Sequence, residues 1–150
     1  MKLTELLPED HIILNLHGTS KLEIIEELLG LMDKLGLIID YDTALHDILV
    51  RESSQSTGLE NGIAIPHAKT EAAKKLSMVF GIKSEGVDFK TIDDKPATLF
   101  FLVLSPVDTS GPHIQALALI TRNLKDYDKR EKIKNARSIA EIYKIFGSFN

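Results

Sequence analysis

Cysteine is absent from this sequence of 150 residues. Disulfide bonds, thiolate metal sites and cysteine nucleophiles are therefore excluded as a basis for its fold or its chemistry. A chain without cysteine fits a reducing compartment, and we expect a cytoplasmic protein.

A basic excess is also absent, because 18 Lys and Arg residues stand against 22 Asp and Glu residues and the formal net charge is −4. Proteins that neutralise nucleic-acid phosphates carry an excess of cations, so nucleic acid is not an expected partner. The first letters, MKLTELLPEDHI, are interrupted by charged residues and a proline, which argues against a signal peptide. No run approaches the roughly 18 apolar residues of a membrane span, so we expect no membrane insertion.

The common signatures of nucleotide and metal enzymes are missing too. The chain has no Gly-x-x-x-x-Gly-Lys-Ser/Thr loop, no Gly-x-Gly-x-x-Gly, no Gly-x-Ser-x-Gly and no His-Glu-x-x-His. The five histidines are scattered without the spacing of metal ligands: His11, His17, His46, His67 and His113. We therefore expect neither a metal site nor a cofactor.

Apolar residues make up 43% of the chain, which is enough for one well-packed core. We expect a single domain over residues 1–150. Segments with the apolar period of helices interleave with segments typical of strands, without an internal repeat or a dividing linker. This order predicts an α/β protein with helices around a mixed sheet.

Five helices are predicted from capping signals and apolar periodicity. Their expected starts are the capping box Ser20 to Glu23, Asp40 or Asp42, Pro112, about Asp128, and the capping box Ser138 to Glu141. The first should end near Gly36, and Arg51 should lie in or just beyond the last turn of the second. The residues expected on buried faces are Leu22, Ile25, Leu28, Leu29, Met32 and Leu35; Leu45, Ile48 and Leu49; Ile114, Leu117, Ile120, Thr121 and Leu124; and Ile139, Ile142, Ile145 and Phe146.

Four apolar segments predict strands. The letters IILNL and the segment Ile63–Ile65 indicate short strands, the second of which ends at Pro66. In LSMVFGIK every second residue is apolar, which is typical of a strand with one face in the core. The nearly unbroken run ATLFFLVLSP suits an interior strand covered on both faces and is the predicted centre of the sheet.

His67 leaves the carboxyl end of a predicted strand, directly after Pro66, in the stretch STGLENGIAIPHAKT. Pro66 stiffens the backbone that carries the imidazole, and Gly58 and Gly62 permit a tight approach on the preceding side. Neutral imidazole, with a pKa of about 6.5, is a nucleophile that can accept a phosphoryl group. A Pro-His pair at a strand end can equally be a simple turn, so both roles of His67 stay open.

A phosphoryl group on His67 requires positive charge and hydrogen-bond donors around it. The planar guanidinium of Arg51 can engage two phosphoryl oxygens at once, and hydroxyls of Ser56 or Thr57 can add to it. His113, in the first turn of a predicted helix, offers a second imidazole where free backbone N–H groups attract anions. The alternatives are a solvent-exposed arginine at a helix end and an exposed histidine at a helix start.

The residues RESSQSTGLENGIAIPHAKT resemble the signature of the IIA domains of the bacterial phosphoenolpyruvate-dependent sugar phosphotransferase system, in the fructose and mannitol class. The resemblance is carried by residues 51–52, 56–58 and 61–67, and by His113 with the apolar helix that follows it. Nearly the full chain agrees with such a domain in element order. The resemblance implies an α/β domain with a mixed, mostly five-stranded sheet flanked by helices.

By this resemblance, His67 accepts a phosphoryl group from the histidine phosphocarrier protein HPr and passes it to a IIB domain or protein, which serves a IIC permease. The chain is then a phosphotransferase with a phosphohistidine intermediate. Arg51 corresponds to the arginine that helps to hold the phosphoryl group, and His113 corresponds to the second active-site histidine. The residues expected to support the site or bind phosphate are Ser56, Thr57, Gly58 and Pro66.

Two branches of the family share this motif. In the transport branch the phosphoryl group serves the uptake and phosphorylation of a sugar, whereas in the nitrogen-regulatory branch the phosphohistidine controls binding to protein partners. The chain departs from many members at Leu59-Glu60, where they have Ile-Gly. Glu60 makes this loop more acidic, which bears on the choice of partner.

Overall fold

The computed structural model describes residues 1–150. The helices are α1 (Leu3–Leu6), α2 (Lys21–Lys34), α3 (Tyr41–Ser54), α4 (Gly111–Asn123), α5 (Tyr127–Lys134) and α6 (Ile139–Phe146), with a 3₁₀ turn at Glu9–His11. The strands are β1 (Ile12–Ile13), β2 (Ile63–Ala64), β3 (His67–Lys69), β4 (Ser77–Val87) and β5 (Ala97–Ser105). None of the helices combines the length and the apolar character needed to cross a lipid bilayer.

The helices begin where side-chain oxygens can accept backbone hydrogen bonds. Ser20 accepts from the N–H of Glu23 and Ser138 accepts from the N–H of Glu141, which is the serine half of each predicted capping box. The carboxylates of Glu23 and Glu141 accept from the N–H of the residue before each serine. Asp40 caps α3 by accepting from the N–H of Asp42. The predicted helix starts are therefore confirmed at these positions, whereas α1 and the 3₁₀ turn carry no such signal and were not predicted.

The five strands form one mixed sheet in the order β1-β4-β5-β2, and β3 also pairs with β5. Strand β4 is antiparallel to β5, and all other pairs are parallel. The residues Phe100–Leu104 of β5 have no exposed surface, because helices cover both faces of the sheet. The predicted α/β class, the mixed five-stranded sheet and the central position of ATLFFLVLSP are confirmed.

Strand β3 corrects the prediction that the chain leaves the sheet at His67. Ile63 and Ala64 pair with Leu99 and Phe100, and His67 resumes the same register opposite Val103. Ile65 and Pro66 separate the two strands, and Pro66 has no N–H to donate to β5. Its carbonyl still accepts the N–H of Val103 at 3.0 Å.

Two apolar cores lie on opposite faces of the sheet. On one face, α2 and α3 pack on the side of β4 that carries Val79. On the other face, α1, α4, α5 and α6 cover Met78, Phe80 and Ile82, which alternate as the sequence predicted. The ring centroids of Phe80 and Phe101 lie 4.6 Å apart on this second face.

The helix faces are predicted less well than the helix starts. Leu22, Leu49 and Ile114 were expected in the core, but their exposures are 46%, 37% and 64%. The buried face of α4 is rotated by one residue from the predicted face, because its apolar residues cover a wide arc and the sheet selects only part of it. The residues that α4 buries are His113, Ala116, Leu119, Ile120 and Asn123.

Matched substitutions in α4 test this orientation. Ile120 is fully buried and Ile114 is 64% exposed, so Ile120→Ala should lower the free energy of unfolding by about 2–5 kcal/mol through lost burial and a cavity. Ile114→Ala should stay within about 0.5 kcal/mol of the unchanged protein. Urea unfolding followed by circular dichroism measures both, and equal losses would contradict the observed face.

Candidate active site

A pocket of about 740 Å³ lies where α3, β3 and the start of α4 meet. Arg51 comes from the last turn of α3, His67 begins β3, and His113 lies in the first turn of α4. A smaller pocket of about 260 Å³ is also lined by Arg51 and His67, together with the loop that follows α3. The three residues singled out by the sequence are thus brought together.

The two nitrogens of the His67 imidazole differ in protonation. Nδ1 lies 2.7 Å from the carbonyl oxygen of Ile65. Because a carbonyl oxygen only accepts, Nδ1 carries the proton and donates it, which leaves the lone pair on Nε2. Burial lowers the pKa of His67 below its usual value, and the nearby charge of Arg51 lowers it further, while the bond to Ile65 opposes both. His67 therefore presents a neutral, nucleophilic Nε2 at neutral pH.

The backbone before His67 depends on close approaches that only glycine allows. Gly62 has a φ of +76°, in the left-handed region that glycine enters without strain. A Cβ atom on Gly58 would lie 2.7 Å from the carbonyl oxygen of Phe89. The loop thus packs tightly against the segment after β4.

His113 is buried, with 5% of its surface exposed, and its ring centroid lies 5.5 Å from that of His67. The interpretation of His113 as an exposed residue at a helix start is therefore wrong. Its Nδ1 is hydrogen-bonded to the hydroxyl of Ser105 at 2.6 Å. Burial lowers the pKa of His113 to about 4, and the neighbouring His67 and Lys69 add to the effect. His113 is neutral at pH 7.

Arg51 is half-buried, and its guanidinium is oriented by the loop beyond α3. Nη1 donates to the carbonyl oxygen of Gln55 at 2.7 Å, which is the one hydrogen bond that the guanidinium makes within the protein. The other N–H groups are therefore available to an anion in the pocket. This is the arrangement that bidentate recognition of a phosphoryl group requires.

The hydroxyl groups of Ser56 and Thr57 donate their hydrogen bonds to acceptors within the protein. The hydroxyl of Ser56 donates to Phe89 O at 2.5 Å and accepts from the N–H of Gly58. The hydroxyl of Thr57 donates to the carboxylate of Glu52. Both residues therefore shape the loop beside Arg51, and their protons are not free for a bound anion.

Two residues near the histidines were missed by the sequence reasoning. Ser105 ends the central strand, eight residues before His113, and nothing in the sequence links its hydroxyl to that ring. Lys69 lines the larger pocket and lies on the same face of β3 as His67, and its Nζ donates to Ser110 Oγ at 2.6 Å. Side chains alternate between the two faces of a strand, so recognising β3 in the sequence would have placed Lys69 on the same face as His67.

The model of the family described as "Phosphoenolpyruvate-dependent sugar phosphotransferase system, EIIA 2" matches residues 5–148. The fructose-specific EIIA component of Haloferax volcanii is 40% identical over 91% of this chain and 88% of that protein. The fructose-specific EIIABC component of Bacillus subtilis is 36% identical over 97% of this chain, which spans only 23% of that protein. The crystal structure of the nitrogen regulatory protein IIA-Ntr from Neisseria meningitidis superposes with a TM-score of 0.89, at 29% identity over 96% of this chain and 98% of that chain.

The ionisation of His113 provides a test of this site. Its pKa of about 4 lies below the model-peptide value of 6.5, so the folded state binds fewer protons than the unfolded state between these values. The contribution of His113 to stability therefore falls as the pH drops from about 6.5 to about 4. In an NMR titration the His113 ring should show a midpoint near pH 4, assigned with His113→Gln. A midpoint at or above the ordinary value would contradict the buried environment.

Proposed function

The chain belongs to the EIIA 2 family of the phosphoenolpyruvate-dependent sugar phosphotransferase system, and we propose on this basis that His67 carries a phosphoryl group between two protein partners. Residues 1–150 form one domain of this family. The donor is phospho-HPr and the acceptor is a IIB domain or protein, through which the chain acts with a IIC permease in the cytoplasm.

The observation that carries the proposal is that Arg51, His67 and His113 line one pocket, with Nδ1 of His67 hydrogen-bonded to Ile65 and Nε2 unprotonated. In the transfer, the lone pair of Nε2 forms a bond to phosphorus while the bond from phosphorus to the donor's imidazole nitrogen breaks, and that nitrogen keeps the electron pair. The phosphoryl acceptor is thus a nitrogen that needs no base to remove a proton.

Arg51 supplies the permanent positive charge for the transferring group. Charge spread over the phosphoryl oxygens is stabilised by guanidinium N–H groups that are already oriented by Gln55. The carbonyl of Ile65 stabilises the positive charge that the His67 ring gains when phosphorus bonds to Nε2. His113 remains neutral beside it and adds no repulsion to that ring.

Exposed apolar side chains near the two pockets support the proposal that the partners are proteins. Val50 and Val107 line the larger pocket, Ile92 lines the smaller one, and Ile114 follows His113. Their exposures are 54%, 55%, 71% and 64%. Apolar residues around a polar site are typical of a surface that another protein covers.

Phosphoryl labelling tests the assignment of His67. Incubation with phosphoenolpyruvate, enzyme I and HPr should give an acid-labile, alkali-stable phosphoprotein, because the product is a phosphoramidate. His67→Ala should abolish the label.

The matched control is His17→Ala, since His17 is exposed and lines neither pocket. It should be labelled at the rate of the unchanged protein. Labelling of His67→Ala at the same rate would remove His67 from the proposal.

A second candidate is a regulatory protein in which the phosphorylation state of His67 selects a protein partner. The superposition with a nitrogen regulatory protein at a TM-score of 0.89 supports it. A phosphoryl group adds up to two negative charges to the apolar surface around the pockets, which is enough to create or abolish docking by charge alone.

Affinity capture separates the two candidates. If the protein acts in regulation, the unchanged chain and His67→Asp should retain different sets of proteins, because the carboxylate adds negative charge at the same place. If it acts in transport, reconstitution with HPr and a panel of IIB domains should instead give rapid transfer to one of them. Identical captured sets would count against the regulatory candidate.

A further inference from the structure

A buried carboxylate, that of Glu52, follows Arg51 in α3 and has no part in the proposed transfer. Only 6% of its side chain is exposed, and it pairs with Nζ of Lys21 at 2.5 Å. It also accepts the backbone N–H of Thr57 at 3.0 Å and the Thr57 hydroxyl. We call these three residues, Lys21, Glu52 and Thr57, the Glu52 junction.

Lys21 adds a second contact to this loop and extends the junction to the segment after β4. Its Nζ donates to Ser56 Oγ at 3.3 Å and to the carbonyl oxygen of Phe89 at 3.5 Å, and it lies 5.0 Å from the centre of the Phe89 ring. Because Lys21 is the first residue of α2, one carboxylate connects the start of α2, the end of α3 and the loop between α3 and β2.

The junction reaches Arg51 through this loop. The guanidinium is held by the carbonyl of Gln55, which lies two residues before Thr57. Both hydrogen bonds from Thr57 to Glu52 fix the loop at that point. They therefore hold the loop two residues from the carbonyl that orients the guanidinium.

The junction reaches His67 through the same residue. The carbonyl oxygen of Thr57 accepts the N–H of Ile65 at 3.1 Å. The carbonyl of Ile65 in turn accepts from Nδ1 of His67 at 2.7 Å. Thr57 is therefore connected to His67 through two hydrogen bonds by way of Ile65, and to Arg51 through the short chain segment to Gln55 and the hydrogen bond made there.

We infer that Glu52, with Lys21 and Thr57, is a positioning residue that sets Arg51 relative to His67. This inference rests on the proposed function, because it concerns the rate at which His67 is phosphorylated. Buried ion pairs are poor stabilisers compared with apolar residues of the same size, so stability alone gives little reason for one here. Small displacements of reacting groups, in contrast, reduce rates strongly.

Single-turnover transfer from phospho-HPr tests the role of the junction. Glu52→Gln keeps the shape but loses the charge, and Thr57→Val keeps the shape but loses the hydroxyl. Each should slow transfer at saturating donor by about ten- to a hundredfold, while the donor concentration for half-maximal rate stays the same. Thr57→Ser, which restores a hydroxyl, should be several-fold faster than Thr57→Val.

The matched control is Glu85→Gln, because Glu85 also pairs with a lysine, Lys83, but is 77% exposed. It should transfer at the unchanged rate. Rates are expressed per folded molecule, with the folded fraction taken from urea unfolding, and the Thr57 pair keeps the test valid if Glu52→Gln does not fold.

Three results would overturn the inference while leaving the proposed function in place. They are unchanged rates per folded molecule in Glu52→Gln and Thr57→Val, a rise only in the half-maximal donor concentration, or equal rates for Thr57→Ser and Thr57→Val. If the unchanged protein takes no label at all, the proposed function itself fails.

Discussion

Every backbone N–H and C=O group of the buried strand β5 needs a hydrogen-bond partner, and the rest of the structure is arranged around this requirement. Antiparallel β4 satisfies one edge, and on the other edge β2 and β3 follow one another in a single register. The proline between them removes one donor from this edge and leaves its carbonyl to accept from Val103. His67 is therefore fixed by the sheet itself, and its position follows from the hydrogen-bond requirements of the most buried segment.

The site combines the permanent positive charge of Arg51 with two histidine rings, those of His67 and His113, that stay neutral. The two imidazoles lie 5.5 Å apart. Burial lowers the pKa of both rings, and the proximity of His67 lowers the pKa of His113 further. Positive charge is supplied instead by the guanidinium of Arg51. At neutral pH the pocket therefore holds a neutral imidazole and a positively charged guanidinium side by side.

Much of this arrangement could be predicted from the sequence, and the limits have physical causes. Capping residues act within a few positions of the chain, so the starts of α2 and α6 at Ser20 and Ser138 were read correctly. The buried face of α4 and the existence of β3 both depend on contacts with β5. The local pattern of apolar residues therefore could not predict either of them. The partnership of Ser105 with His113 joins the end of a strand to a helix, and no spacing rule indicates it.

The hydrogen bond between His67 and the carbonyl of Ile65 also bears on the reversibility of the proposed phosphoryl transfer. A ring that keeps its proton on Nδ1 before, during and after phosphorylation returns to the same tautomer each time. No proton has to be exchanged with solvent to reset it. Transfer to and from this ring therefore involves the same proton arrangement in both directions.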